Sequence, residues 1–162
     1  MAQGHVMDDI ALTQPAVSYL DPPLLMRNVN GKFIDVSASS GAPFRIPLPA
    51  RGAAIGDLDN DGWLDIAMNC NDRAPVILRN RGGPGHWLQV DAPPGSTVAV
   101  RTSAGLVQHG FASTAGSYLS SNDPRVHFGL GEAGKATVVV TLPNGQSREA
   151  RDAVVDRVLR FR

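Results

Sequence analysis

The chain has 162 residues, with 15 basic and 15 acidic side chains, 43% hydrophobic and 6% aromatic residues, 17 glycines and 12 prolines. That length buries the core of one ordinary domain or two small ones, and the turn-forming residues show no collagenous or low-complexity bias. Zero formal net charge argues against non-specific attraction to nucleic acid or acidic membranes, and a single cysteine excludes an internal disulfide framework or a multi-cysteine zinc site.

The opening stretch, Met1-Ala2-Gln3-Gly4-His5-Val6-Met7-Asp8-Asp9, has no basic segment followed by an apolar one and does not read as a secretory signal. Either an intracellular protein or a mature or excised piece of a longer one is expected. No apolar run approaches the roughly 20 residues of a membrane helix. Pro15, Pro22, Pro23, Pro43, Pro47 and Pro49 mark connections rather than long elements. Leu64, Ile66 and Met68 then alternate with Asp65 and Ala67, the period of a half-buried strand. Asn80-Arg81-Gly82-Gly83-Pro84-Gly85 cannot hold regular structure and predicts a linker between residues 1–82 and 86–162. Beyond it, Val98 and Val100 alternate within 97–101. Residues 136–142 are rich in β-branched side chains, and Pro143-Asn144-Gly145 predicts a hairpin turn returning through 146–150. Glu, Ala and Arg leave a helix open over 148–158. The preferred reading is a last strand over 155–161, with Arg157, Leu159 and Phe161 on one side. The chain reads as all-β.

One segment carries chemistry: Gly56-Asp57-Leu58-Asp59-Asn60-Asp61-Gly62-Trp63-Leu64-Asp65-Ile66. Counted from Asp57, carboxylates stand at the first, third, fifth and ninth positions, with glycine at the sixth. Unit charges about 4 Å apart repel by roughly 4 kcal/mol at an effective dielectric near 20. Four carboxylates on one tight loop therefore call for a cation or must spread into solvent. Oxygen donors without nitrogen or sulfur select Ca²⁺ over zinc or copper. Gly62 permits the turn, Trp63 offers its backbone carbonyl from the seventh position, and Asp65 closes the shell directly or through water. An EF-hand is excluded, because its twelfth position needs a bidentate Glu and here it is Met68. A solvated acidic turn stays open as the plainer reading. A glycosidase carboxylate pair is disfavoured, because its members flank a cleft rather than crowd one loop.

This loop closely resembles that of the FG-GAP/VCBS repeat, a blade unit of integrin-like β-propellers. Leu25-Met26-Arg27-Asn28, Gly31-Lys32-Phe33-Ile34-Asp35-Val36-Ser37, Arg51-Gly52-Ala53-Ala54-Ile55-Gly56 and Val76-Ile77-Leu78-Arg79-Asn80 resemble its flanking strands. The second half is similar to the ASPIC/UnbV domain of the cartilage acidic protein family and its bacterial relatives. It carries His86-Trp87-Leu88-Gln89-Val90, Gly116-Ser117-Tyr118-Leu119-Ser120, Asp123-Pro124-Arg125-Val126-His127-Phe128-Gly129-Leu130-Gly131 and Leu142-Pro143-Asn144-Gly145. The resemblance implies one propeller-blade-like antiparallel sheet with a Ca²⁺ loop, followed by a small sandwich- or barrel-like β domain. It also implies an exported, adhesion-type protein without established catalysis. Only one complete repeat, about residues 24–80, is present, whereas a propeller takes about four to eight blades. Open sheet edges are expected to be covered within the chain or by a homodimer. A protein or a glycan is the partner class that this resemblance implies.

Other candidates carry plainer readings. His5, His86, His109 and His127 lie in four separate segments without ligand-like spacing, and His127 reads as structural. Ser113, Ser117, Ser120 and Ser121 have no Gly-x-Ser-x-Gly elbow. Gly129-Leu130-Gly131-Glu132-Ala133-Gly134 precedes a strand-like run rather than a helix, so a dinucleotide loop fails on context. Cys70 reads as a small buried hydrophobe and Trp87 as core. The arginines at 148, 151, 157, 160 and 162 read as solvated surface. The leading expectation is a non-catalytic calcium-binding module. Its alternatives are a small hydrolase or cyclase using a histidine with Asp123 in a pocket between the halves, or calcium-assisted carbohydrate binding through Trp63 or Trp87.

Overall fold

The computed structural model describes residues 1–161, and strands dominate it. In the first half these are β1 (Met26–Val29), β2 (Lys32–Asp35), β3 (Ala50–Gly56), β4 (Asp65–Cys70) and β5 (Arg73–Leu78). The second half contributes β6 (His86–Asp91), β7 (Thr97–Thr102), β8 (Val107–Phe111), β9 (Val126–Gly131), β10 (Lys135–Thr141), β11 (Ser147–Val154) and β12 (Arg157–Arg160). Helical structure among the described residues is limited to α1 (Ile10–Thr13) and two short 3-10 turns. The all-β expectation holds.

Two compact units can be distinguished. One comprises Met1–Ala54, Ile66–Leu78 and Gly116–Ser120; the other comprises Ile55–Asp65, Arg79–Ala115 and the chain from Ser121 onward. In the first unit, β1 and β2 form a hairpin of their own with Val29 opposite Lys32. Its Asn30-Gly31 loop has φ of 51° and 83°, the left-handed pair that matches strand twist. All eight hairpin residues are exposed. A separate sheet runs β3-β4-β5, with β4 and β5 antiparallel and Met68 opposite Val76. Leu48, Ala50 and Met68 are its buried centre, and Ile66, Cys70, Val76 and Leu78 pack around them. Cys70 is half-buried there as a small apolar side chain.

The second unit is a sandwich. Its four-stranded sheet runs β11-β10-β7-β8, and its three-stranded sheet runs β12-β6-β9. Neither order closes on itself into a barrel. One cluster joins the facing sides: Val98 and Val100 of β7 and Val138 and Val140 of β10 meet Leu88 and Val90 of β6 and Phe128 and Leu130 of β9. The period-two pattern of these strands is thus the pattern of the core. The turn at 142–145 forms as its residues predict, with the Leu142 amide donating to Gln146 O and the Gly145 amide to Leu142 O. Strand pairing with β10 holds β11 extended through Val154, so the helical option over 148–158 is not realised. Asp156, at φ 58°, turns the chain into β12, which pairs in parallel with β6.

Candidate metal centre

The acidic loop joins β3 to β4, and its carboxylates are the chief organisers of its own backbone. Asp57 is 3% exposed, and its Oδ1 accepts the Asp61 amide at 3.0 Å. Its Oδ2 accepts the Gly62 amide at 2.9 Å and Gln89 Nε2 at 2.7 Å. A carboxylate offers about four acceptor positions, so these three bonds leave Asp57 capacity for another partner. Asp61 Oδ1 takes the Trp63 amide at 2.9 Å. Asn60 and Gly62, at φ 58° and 92°, supply the left-handed residues that fold the loop back on itself.

The result brings Asp57, Asp59 and Asp61 together, one oxygen of each lying within 4.8 Å of the others. Ligand oxygens 2.3–2.6 Å from a shared Ca²⁺ are separated by at most about 5 Å, so the spacing fits one hard cation. Arg79 provides local counter-charge, bonding Asp59 and lying 3.6 Å from Asp61 Oδ2. Asp65 stands outside this trio. It is 2% exposed, and its oxygens accept the Asn80 amide at 2.8 Å and the Leu58 amide at 3.1 Å, tying the start of the loop to its end and to the segment after β5. Trp63 is half-buried with its indole against Gly82.

Three further side chains reach the loop from the three-stranded sheet, and a fourth from the residue just before it. Leu88 and Phe128, opposite each other across β6 and β9, face the core, so their neighbours Gln89 and His127, also opposite each other, face outward. That outer face is where the loop lies. Gln89 is 1% exposed beneath it, and His127 Nε2 sits 2.9 Å from Gly62 O. Trp87, on the same side of β6 as Gln89, is half-buried against Gly62. Arg125, two residues before His127, donates through Nη2 to Asp57 O at 3.0 Å and through Nη1 to Asn60 Oδ1 at 2.8 Å. Its Nε holds both oxygens of Asp123 at 3.0 and 2.9 Å. Burial alone would raise the Asp123 pKa, but hydrogen bonds from Arg125 and from the Asp57 backbone, with the arginine charge, hold it below the ordinary aspartate value. The hydrogen bond to Asp123 likewise raises the Arg125 pKa.

Sequence reasoning missed Gln89 and Arg125 as loop partners, and Arg79 as its counter-charge. The one signal available was a polar residue at 89 between Leu88 and Val90, on the side the apolar alternation assigns away from the core. The histidines do not assemble. Among the described residues Asp123 pairs with Arg125, His127 binds the Gly62 carbonyl, and His86 Nδ1 lies 2.7 Å from Asp156 Oδ2 in an exposed pair.

Residues 91–162 match the family model described as ASPIC and UnbV. An ASPIC/UnbV domain is present. The match takes in β7 to β12 together with Asp123, Arg125 and His127, whereas the acidic loop and Gln89 precede it. The chain is also similar to cartilage acidic protein 1 of Homo sapiens, at 27% identity over 121 residues, covering 67% of this chain and 18% of that protein. The Mus musculus protein is 27% identical and the Xenopus tropicalis protein 26% identical over the same share of this chain. The chain spans about a fifth of the length of these curated relatives. No helix among the described residues is long and apolar enough to cross a membrane.

Proposed function

We propose that residues 57–65 bind Ca²⁺ and that the chain is a calcium-binding, β-rich interaction module of the adhesion type, without a catalytic role. The observation that carries this reading is the convergence of Asp57, Asp59 and Asp61 on one centre. In this reading the Trp63 backbone carbonyl and Asp65, directly or through water, complete the oxygen shell. The cation supplies positive charge that neutralises the loop and ties β3 to β4. Residues 24–80 are then an FG-GAP/VCBS-type blade repeat. The relatives in the cartilage acidic protein family support an exported setting, where calcium modules bind on the order of 10⁻⁴–10⁻³ M. A protein or glycan is the partner class, and β5 and β8, which end their sheets, are the edges through which two copies would pair.

Thermal unfolding in Ca²⁺ and in chelator tests the reading. At ten times the dissociation constant, binding adds about 1.4 kcal/mol, a rise of roughly 3–6 °C for a domain of this size. Asp59→Ala is expected to remove most of that rise while leaving the chelator curve nearly in place. Superimposed wild-type curves would overturn the calcium assignment.

A further inference from the structure

Resting on the calcium reading, we propose that the cation site is a joint product of the acidic loop and the outer face of β6 and β9, with Gln89 and His127 as positioning residues that set its affinity. Neither residue belongs to the Asp57, Asp59 and Asp61 trio. Gln89 holds Asp57 Oδ2 at 2.7 Å, and His127 holds the Gly62 carbonyl at 2.9 Å. Asp57 is the trio's buried member, and Gly62 is one of the two residues whose amides it accepts. The two contacts therefore fix the ligand and the turn before any ion arrives, which reduces the ordering cost of binding.

A second observation points to a ligand at this place. Gln89 Oε1 is buried and has no hydrogen-bond partner among the described residues, although its own amide nitrogen lies on Asp57. Buried acceptors of this kind are rare in folded proteins. A water carried by a cation on Asp57 is the class of donor that Oε1 fits. Pairing between β6 and β9 puts Gln89 directly opposite His127, so one register sets both contacts. A slip by one residue would send both side chains into the core.

The test compares wild type with Gln89→Met, His127→Leu and His127→Gln, and with Val138→Ala as a core control on β10. Calorimetry and the fluorescence of Trp63 and Trp87 give the Ca²⁺ dissociation constant. Hydrogen exchange in chelator reads the Asp61 and Gly62 amides. Gln89→Met and His127→Leu are expected to weaken Ca²⁺ about tenfold and to speed exchange at both amides. His127→Gln, whose Nε2 still reaches a carbonyl, should recover most of the affinity. Val138→Ala should lower the melting temperature and leave the dissociation constant unchanged, because it touches only the core. Binding of Ca²⁺ by all variants within twofold of wild type would overturn the positioning roles and leave the calcium reading standing. Failure of wild type to bind would overturn the calcium reading and the affinity claim with it. Unchanged exchange at Asp61 and Gly62 would then also remove the claim that the two strands hold the loop.

Discussion

A carboxylate as enclosed as that of Asp57 must be compensated, and here the compensation comes from backbone amides inside the loop and from Gln89 outside it. Arg79 plays the opposite part, occupying Asp59 and flanking Asp61 from solvent. Arg79→Ala should therefore tighten Ca²⁺ by ~2–5-fold, the worth of an exposed ion pair, in a titration at low salt. Gly62 is held in a region that L side chains avoid, and a Cβ there would stand 1.8 Å from Trp87 Cε2. Gly62→Ala is expected to cost about 3 kcal/mol, from left-handed backbone strain and overpacking together, measured by urea unfolding in chelator. Asp123 gives the pH dependence its sign. Its pKa is lowered in the folded chain, so its stabilising effect is present above the ordinary aspartate value and is lost as pH falls through the folded one. Unfolding midpoints should decline on acidification below that ordinary value, and Asp123→Asn should flatten the decline.

At the level of elements, the outward residues Gln89 of β6 and His127 of β9 serve the loop, while the inward Leu88, Val90, Phe128 and Leu130 serve the sandwich core. Leu88 is fully buried at the centre of β6. Leu88→Ala is expected to destabilise by about 2–5 kcal/mol, the range for deleting a buried leucine side chain, read as a shift in the denaturant midpoint. The hairpin of β10 and β11 was legible because its signals are local: β-branched residues, then Pro143-Asn144-Gly145. The parallel pairing of β12 with β6 was not, because register between strands some 70 positions apart in the chain leaves no local mark. The Asn30-Gly31 turn is an equally local hairpin signal, because asparagine and glycine accept the left-handed pair it needs. The same limit applied to the arginines. Those of β11 and β12 read as surface and include exposed Arg148, Arg151, Arg157 and Arg160, yet Arg125, equally ordinary by composition, is committed to Asp57, Asn60 and Asp123.

On the scale of the chain, each unit has its own apolar cluster, and the acidic loop belongs to the unit that holds most of the ASPIC/UnbV match, all but Gly116–Ser120. Hydrogen exchange should accordingly be slowest in β6, β7 and β10 and fastest in the exposed β1–β2 hairpin. Ca²⁺ should slow it further over 55–65 while leaving the hairpin as it was. An effect of Ca²⁺ on the hairpin alone would contradict that assignment. The all-β class, the hairpin turn and the meeting of Asp57, Asp59 and Asp61 could all be read from residue order, because strand period, turn chemistry and charge spacing act over a few neighbours. Which side chains stand behind the acidic loop could not. Gln89, Arg125 and His127 follow Asp57 by 32, 68 and 70 positions; the pairing of β6 with β9 and the burial of their inner face turn Gln89 and His127 toward it, and Arg125 reaches it from just before β9.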